Sequence, residues 1–181
     1  MRDAGNEQFR AEHYAEAMDV YVQAMVGLDE HFFAEPGGAD GGAPAATVME
    51  PGPRDAFALP ILTNLAACAL ELRDWKRCLL FCDHALQLEP GSYRALCRRG
   101  RALTELERFG DARAALHAAA ESARGDDEAR HVRVLLRGLQ SDELKRRAAT
   151  NEQREMMRRA FDARTGEAKS MYGDMRRRKV R

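Results

Sequence analysis

Several things are missing from this 181-residue chain, and each absence narrows what it can be. No apolar run approaches the ~20 residues that a membrane-spanning helix needs. The N-terminus carries no signal-peptide apolar core. Strand-like runs of β-branched residues are missing, while alanine, leucine, arginine and glutamate dominate, so the chain reads as all-α. Cysteine is sparse: Cys68, Cys78, Cys82 and Cys97 lie in helix-like segments without the density of a disulfide scaffold, which points to a reducing, cytoplasmic setting. His13, His31, His84, His117 and His131 are scattered, and neither a Ser/His/Asp grouping nor a Gly-rich phosphate loop is present. No enzyme activity and no cofactor are therefore expected. Cys78, Cys82 and His84 form a C-x3-C-x-H spacing that suits zinc poorly, so no metal site is expected either; the cysteines read as small buried hydrophobes.

Net charge is zero, yet it is unevenly spread. From Glu143 to Arg181 there are 13 Lys/Arg against 6 Asp/Glu, a surplus of seven that the first 142 residues balance with an equal deficit. A basic tail behind a mildly acidic body suggests that the two have different partners.

What is present is an internal repeat. An offset of 34 residues places Asn64 on Arg98, Trp75 on Phe109, Leu62 on Leu96 and Ala85 on Ala119. The same offset puts Cys78 on Ala112 and Cys82 on Leu116. Tyr14, Ala17, Tyr21 and Ala24 repeat the spacing of Phe109, Ala112, Leu116 and Ala119, which makes three copies. Each copy reads as a helix pair: Arg2–Glu12 with Ala15–Asp29, Ala56–Leu72 with Trp75–Leu88, and Ser92–Glu107 with Gly110–Ala123. Small residues let the two helices of a pair approach closely, and an aromatic at each turn fills the gap between them. Tyr14 and Trp75 stand 61 residues apart, more than one period. The surplus is a Gly/Ala/Pro-rich stretch that buries too little to order itself and reads as a flexible spacer loop. After the third pair, Asp126 and Asp127 suit a helix start. Val132, Leu135, Leu136 and Leu139 then form an apolar stripe that predicts a long helix capping the open end of the stack.

The stretch Tyr93–Phe109 is the most informative. As a helix it places Arg94, Arg98 and Arg101 on one face and Ala95, Leu96, Leu103 and Leu106 on the other. A row of guanidiniums suits carboxylate or phosphate, because the planar fork engages two oxygens at once.

The repeat resembles the tetratricopeptide repeat, a helix–turn–helix unit that stacks into a right-handed superhelix with a concave inner face. The resemblance implies an all-α fold of three such repeats plus a long C-terminal capping helix. It divides the chain into a first motif (1–33), a flexible loop (34–54), a second motif (55–90), a third motif (91–125), the capping helix (126–164) and a basic, disordered tail (165–181). Within the family the chain looks closest to the repeat domain of immunophilin co-chaperones. Gly5-Asn6-Glu7-Gln8-Phe9 matches the G-N-x-x-F/Y motif of tetratricopeptide co-chaperones, Asn64 precedes Leu-Ala-Ala-Cys, and Arg94 and Arg98 stand at i and i+4.

By that resemblance, Arg2, Asn6, Asn64, Arg94 and Arg98 form a two-carboxylate clamp, with Phe9, Ala67 and Arg101 as secondary groove residues. The partner implied is the acidic C-terminal peptide of cytosolic heat-shock chaperones. Asn6 and Asn64 would donate to its terminal carboxylate and the three arginines would neutralise charge. The family's usual lysines are all arginine here, and Arg2 stands at the start of its helix, where fraying is expected. Two further readings stay open: a scaffold that docks an internal segment, and the regulatory part of a peptidyl-prolyl isomerase whose catalytic domain is not in this sequence. The basic helix around Met156–Arg164 is also a candidate for calmodulin capture, whereas contact with nucleic acid rests on charge alone.

Overall fold

The structure is a computed structural model that describes residues 2–27 and 55–178, with the side chains of 55–56 and 166–178 left out. The loop expected over 34–54 lies outside the described residues. Seven α-helices follow in order: α1 (Arg2–Arg10), α2 (Tyr14–Val26), α3 (Asp55–Glu71), α4 (Trp75–Leu88), α5 (Tyr93–Glu105), α6 (Phe109–Ser122) and α7 (Asp126–Arg178). No strand occurs among the described residues. None of their helices is long and apolar enough to cross a membrane. Two compact units are present, Met1–Leu139 and Gln140–Arg181. The first holds the three helix pairs and the opening turns of α7.

The pairs α1–α2, α3–α4 and α5–α6 are joined by one kind of turn. Glu12, Arg73 and Glu107 sit at φ 62°, 57° and 59°, in the left-handed region. Their positions repeat the 61- and 34-residue offsets of the sequence. Around each, the next amide reaches back five residues: His13 to the Gln8 carbonyl (3.0 Å), Asp74 to that of Ala69 (2.8 Å) and Arg108 to that of Leu103 (2.9 Å). Glu12, Arg73 and Glu107 themselves donate to Phe9, Leu70 and Thr104. This is the Schellman closure, which satisfies carbonyls that a helix end otherwise leaves unpaired. At the second turn, Asp74 also accepts from the Arg77 amide at 3.1 Å and so caps α4.

Close approach within a pair depends on one small residue. A Cβ on Gly5 would come within 2.6 Å of the Tyr21 ring, and one on Gly100 within 2.6 Å of Leu116 Cδ2. Ala66, fully buried, holds the matching position in the second repeat. Only nine residues long, α1 would be marginal by itself; its packing on α2 holds it.

Two apolar clusters follow. One is centred on Tyr21, Met25, Leu62, Leu65 and Phe81 and joins the first two pairs. The other gathers Leu96, Leu103, Leu116, Val132 and Leu139 and joins the third pair to the start of α7. Tyr93 strengthens the second junction, donating to the Glu128 carbonyl (3.2 Å) with its hydroxyl 2.8 Å from His131 Nδ1. The stripe Val132–Leu139 therefore does cover the last repeat.

One boundary differs from the sequence reading. The capping helix was expected to end near residue 164, with a disordered tail behind it, but α7 stays helical to Arg178. No proline follows Pro90, and a lone glycine such as Gly166 costs about 1 kcal/mol, too little to stop a helix of good formers. Residues 179–181 lie outside the described residues.

Glycines 100 and 138 give a contrasting pair of expectations. Gly100→Ala forces a methyl into buried Leu116 and should lower unfolding free energy by about 1–3 kcal/mol. Gly138→Ala, in a helix interior with open space where the methyl would go, should raise it by about 0.5–1 kcal/mol. Urea unfolding followed by circular dichroism reads both, and equal effects would contradict the packing described.

Candidate functional site

Helix α1 presents Arg2, Asn6 and Arg10 at i, i+4 and i+8, a single face. Helix α3 brings Pro60, Thr63 and Asn64 opposite, and α5 brings Arg94. Together they surround a hollow of about 330 Å³. Of the eight residues expected from sequence, Arg2, Asn6, Phe9, Asn64 and Arg94 line it. Arg10, Tyr21, Pro60 and Thr63 line it too and were not foreseen. Arg10 and Thr63 carried a readable signal, since each lies on the same helix face as, or next to, an expected residue. The fold also explains Phe9, whose ring meets Tyr14 edge-on at 5.2 Å and so forms a firm wall.

The remaining three candidates sit elsewhere. Ala67 is 8% exposed and serves the core. Arg101 is exposed on α5, about two turns beyond Arg94, and does not reach the hollow. Arg98 lies one turn from Arg94 and is not in the lining; its guanidinium is largely buried, and its Nη1 has no hydrogen-bond partner. The three arginines of α5 are thus not the uniform basic face that their spacing suggests. Burial pushes the Arg98 pKa down, as does the nearby charge of Arg94, while Cys82, Cys78 and Cys97 oppose the shift. Below it, the Cys78 thiol is 4.0 Å from the Arg98 carbonyl. All four cysteines are buried as free thiols. Among the described residues, no cluster of His, Cys, Asp or Glu could hold a metal ion.

The amides form a closed network. Tyr21 Oη donates to Asn6 Oδ1 at 2.6 Å, and Asn64 Nδ2 donates to the same oxygen at 3.0 Å. Asn64 Nδ2 also reaches Tyr21 Oη at 3.3 Å. The two acceptors lie only 2.6 Å apart, so they share one N–H of Asn64, and its second hydrogen is not used by this network. Asn6 Nδ2 has no partner among the described residues. Arg2 is only loosely held, its Nε 3.8 Å from Asp3 with both side chains more than half exposed. A lining with Arg2, Arg10 and Arg94, two asparagines and no carboxylate suits an acidic ligand.

A second hollow of about 250 Å³ adjoins the first, sharing Pro60, Thr63 and Arg94 with it. Its lining also includes Glu89, Ser92, Tyr93, Arg124 and Glu128. Arg124 stands 3.7 Å from Glu89, and the Arg124 amide donates to Glu128 at 2.8 Å. Its charges are mixed and largely matched among themselves.

No protein-family model matches the chain. A human relative, sperm-associated antigen 1, is 34% identical over 113 residues, which is 62% of this chain and 10% of that protein. The chain thus spans about a tenth of the length of that relative. Among solved structures, the Hsp90 co-chaperone Cns1 from Saccharomyces cerevisiae aligns over 87% of this chain and 42% of that one, at 22% identity and a TM-score of 0.65. The first tetratricopeptide domain of Spaghetti (RPAP3), bound to the HSP90 peptide SRMEEVD, aligns over 77% of this chain and 87% of that one, at 20% identity and a TM-score of 0.56. The fold is that of tetratricopeptide-repeat domains, as the sequence resemblance implied.

The unpartnered Arg98 nitrogen yields a stability prediction. Removing a buried nitrogen that has no hydrogen-bond partner among the described residues should help the unliganded fold. Arg98→Leu is expected to raise unfolding free energy by about 1–2 kcal/mol. A loss of that size in urea unfolding would mean that the guanidinium is already satisfied without a ligand.

Proposed function

We propose that this chain is a non-catalytic adaptor of the cytoplasm whose hollow grips the acidic C-terminal peptide of a heat-shock chaperone. The observation that carries the reading is Arg98 Nη1, buried without a partner one turn from Arg94. An unsatisfied cation inside a protein is costly unless something supplies its counter-charge. A peptide's terminal carboxylate and its last aspartate supply two such charges a few ångströms apart. In this reading Asn6 donates to the terminal carboxylate, Arg2 and Arg94 neutralise the pair, and Arg98 takes the deeper oxygen. Support comes from the fold-level likeness to Spaghetti (RPAP3), whose structure holds an HSP90 peptide. Thr63, Arg10 and Phe9 would border the residues before the terminus.

The test is a fluorescence titration with SRMEEVD ending in either a carboxylic acid or an amide. The acid form should bind at micromolar affinity, about −8 kcal/mol, and the amide form at least tenfold more weakly. Charge reversal of Arg94 and Arg98 together should abolish acid binding with helix content unchanged. Equal affinity for the two peptide ends would remove the carboxylate clamp and favour a scaffold that docks an internal segment.

A second reading concerns the unit Gln140–Arg181. There Met156, Met157 and Phe161 are 59%, 65% and 68% exposed on a helix rich in arginine. Such a face fits calmodulin capture. A gel shift of the chain with calmodulin that appears with calcium and disappears with a chelator would support it; no shift in calcium would end it.

A further inference from the structure

With Arg2, Arg94 and Arg98 set against the two charges of a peptide end, the fourth arginine near the hollow has no assigned partner. Arg10 stands one turn beyond Asn6 on α1 and lines the hollow, whose lining holds no carboxylate. The residue is exposed, and no ion pair ties its guanidinium down among the described residues. A basic residue in the last turn of a helix is favoured by the helix dipole, and Arg10 occupies that turn of α1. Its charge also falls across the floor of the hollow. Burial raises the Tyr21 pKa above its ordinary value, while the charges of Arg10 and Arg2 pull it back down. A cation so placed, with no carboxylate beside it, is open to one brought by the ligand.

Spacing indicates where that carboxylate comes from. The hollow runs along α1 from Arg2 to Arg10, about 12 Å at the helical rise, and the step from Asn6 to Arg10 is about 6 Å. An extended peptide turns alternate side chains to the same side, about 7 Å apart. With its last residue held at Asn6, the side chain two residues earlier therefore meets Arg10, and the residues on either side of it point the other way. We infer that Arg10 is a specificity-determining residue that selects an acidic side chain at the third position from the end of the bound peptide. In SRMEEVD that position is the glutamate before the valine. The inference rests on the peptide-end reading above and adds to it a third anion site, one helical turn from the clamp.

Arg10→Gln keeps a polar side chain on an exposed helix face and removes only the charge. SRMEEVD is titrated into the wild-type chain and the variant beside two peptides that each exchange one glutamate for glutamine, SRMEQVD and SRMQEVD. In the wild-type chain SRMEQVD should bind roughly two- to fivefold more weakly than SRMEEVD, the range of a solvent-exposed charge pair. In the variant those two peptides should bind alike, whereas the effect of the other exchange, in SRMQEVD, should be the same in both chains. A penalty for SRMEQVD that persists in the variant overturns the inference and leaves Arg10 a helix-end residue. A penalty that vanishes equally for both glutamine peptides also overturns it, because Arg10 then acts as diffuse charge without a preferred position. Equal affinity of the wild-type chain for acid- and amide-ended SRMEEVD overturns the peptide-end reading itself, and this inference with it. A measurement on the wild-type chain covers the case of a poorly folded variant. The Arg10 Nε signal should shift with SRMEEVD and stay in place with SRMEQVD, and equal shifts would contradict the assignment.

Discussion

The contact on which the rest depends is the meeting of Gly5 with the Tyr21 ring, repeated by Gly100 against Leu116. A helix without a Cβ at one position lets its partner bring a large side chain almost onto its backbone. That closeness packs each pair and so orients the inner helices of the repeat unit. In the first repeat the same contact does a second job. The tyrosine seated on Gly5 brings its hydroxyl to Asn6, the next residue in the chain. Packing and the amide network thus share one side chain, and the glycine and asparagine of the G-N pair have separate physical reasons.

Charge follows a different logic. One nitrogen of Arg98, Nη1, is buried without a hydrogen-bond partner among the described residues. Other arginines are arranged otherwise: Arg99 pairs with Asp83 at 2.9 Å, and Arg108 with Asp111 at 2.6 Å. These are exposed pairs of small energetic weight. Arg94 and Arg98, identical in type and one turn apart, differ in burial: Arg94 is exposed and Arg98 keeps one nitrogen buried without a partner among the described residues.

Much of this was legible from residues alone, because periodicity is a packing signal. The 34-residue offset, the aromatic and small positions and the apolar stripe Val132–Leu139 all report burial, and burial is what the repeat imposes. The helix ends were less legible. The left-handed turn residues are Glu12, Arg73 and Glu107, none of them the glycine that usually marks such a position, so α1 and α5 end two residues earlier than their patterns suggest. The long reach of α7 was missed for the opposite reason: charge density looked like disorder, although no helix breaker stood in the way. At the site, the family resemblance pointed to Arg2, Asn6, Phe9, Asn64 and Arg94, which line the hollow. Whether Asn64 gives its hydrogens to a ligand or to Asn6 depends on a few tenths of an ångström across three helices, and no linear pattern encodes that. Tyr21 was visible as a repeat position, but its hydroxyl had no stated purpose until Asn6 was seen above it.

The central claim is that the unanswered Arg98 guanidinium is satisfied by an incoming carboxylate. Nitrogen-15 spectra of the arginine side chains, recorded while acid-ended SRMEEVD is added, test it most directly. The account predicts that the Arg98 Nη signals shift and their hydrogen exchange slows in step with binding. Saturation of the peptide with the Arg98 signals unmoved would contradict it.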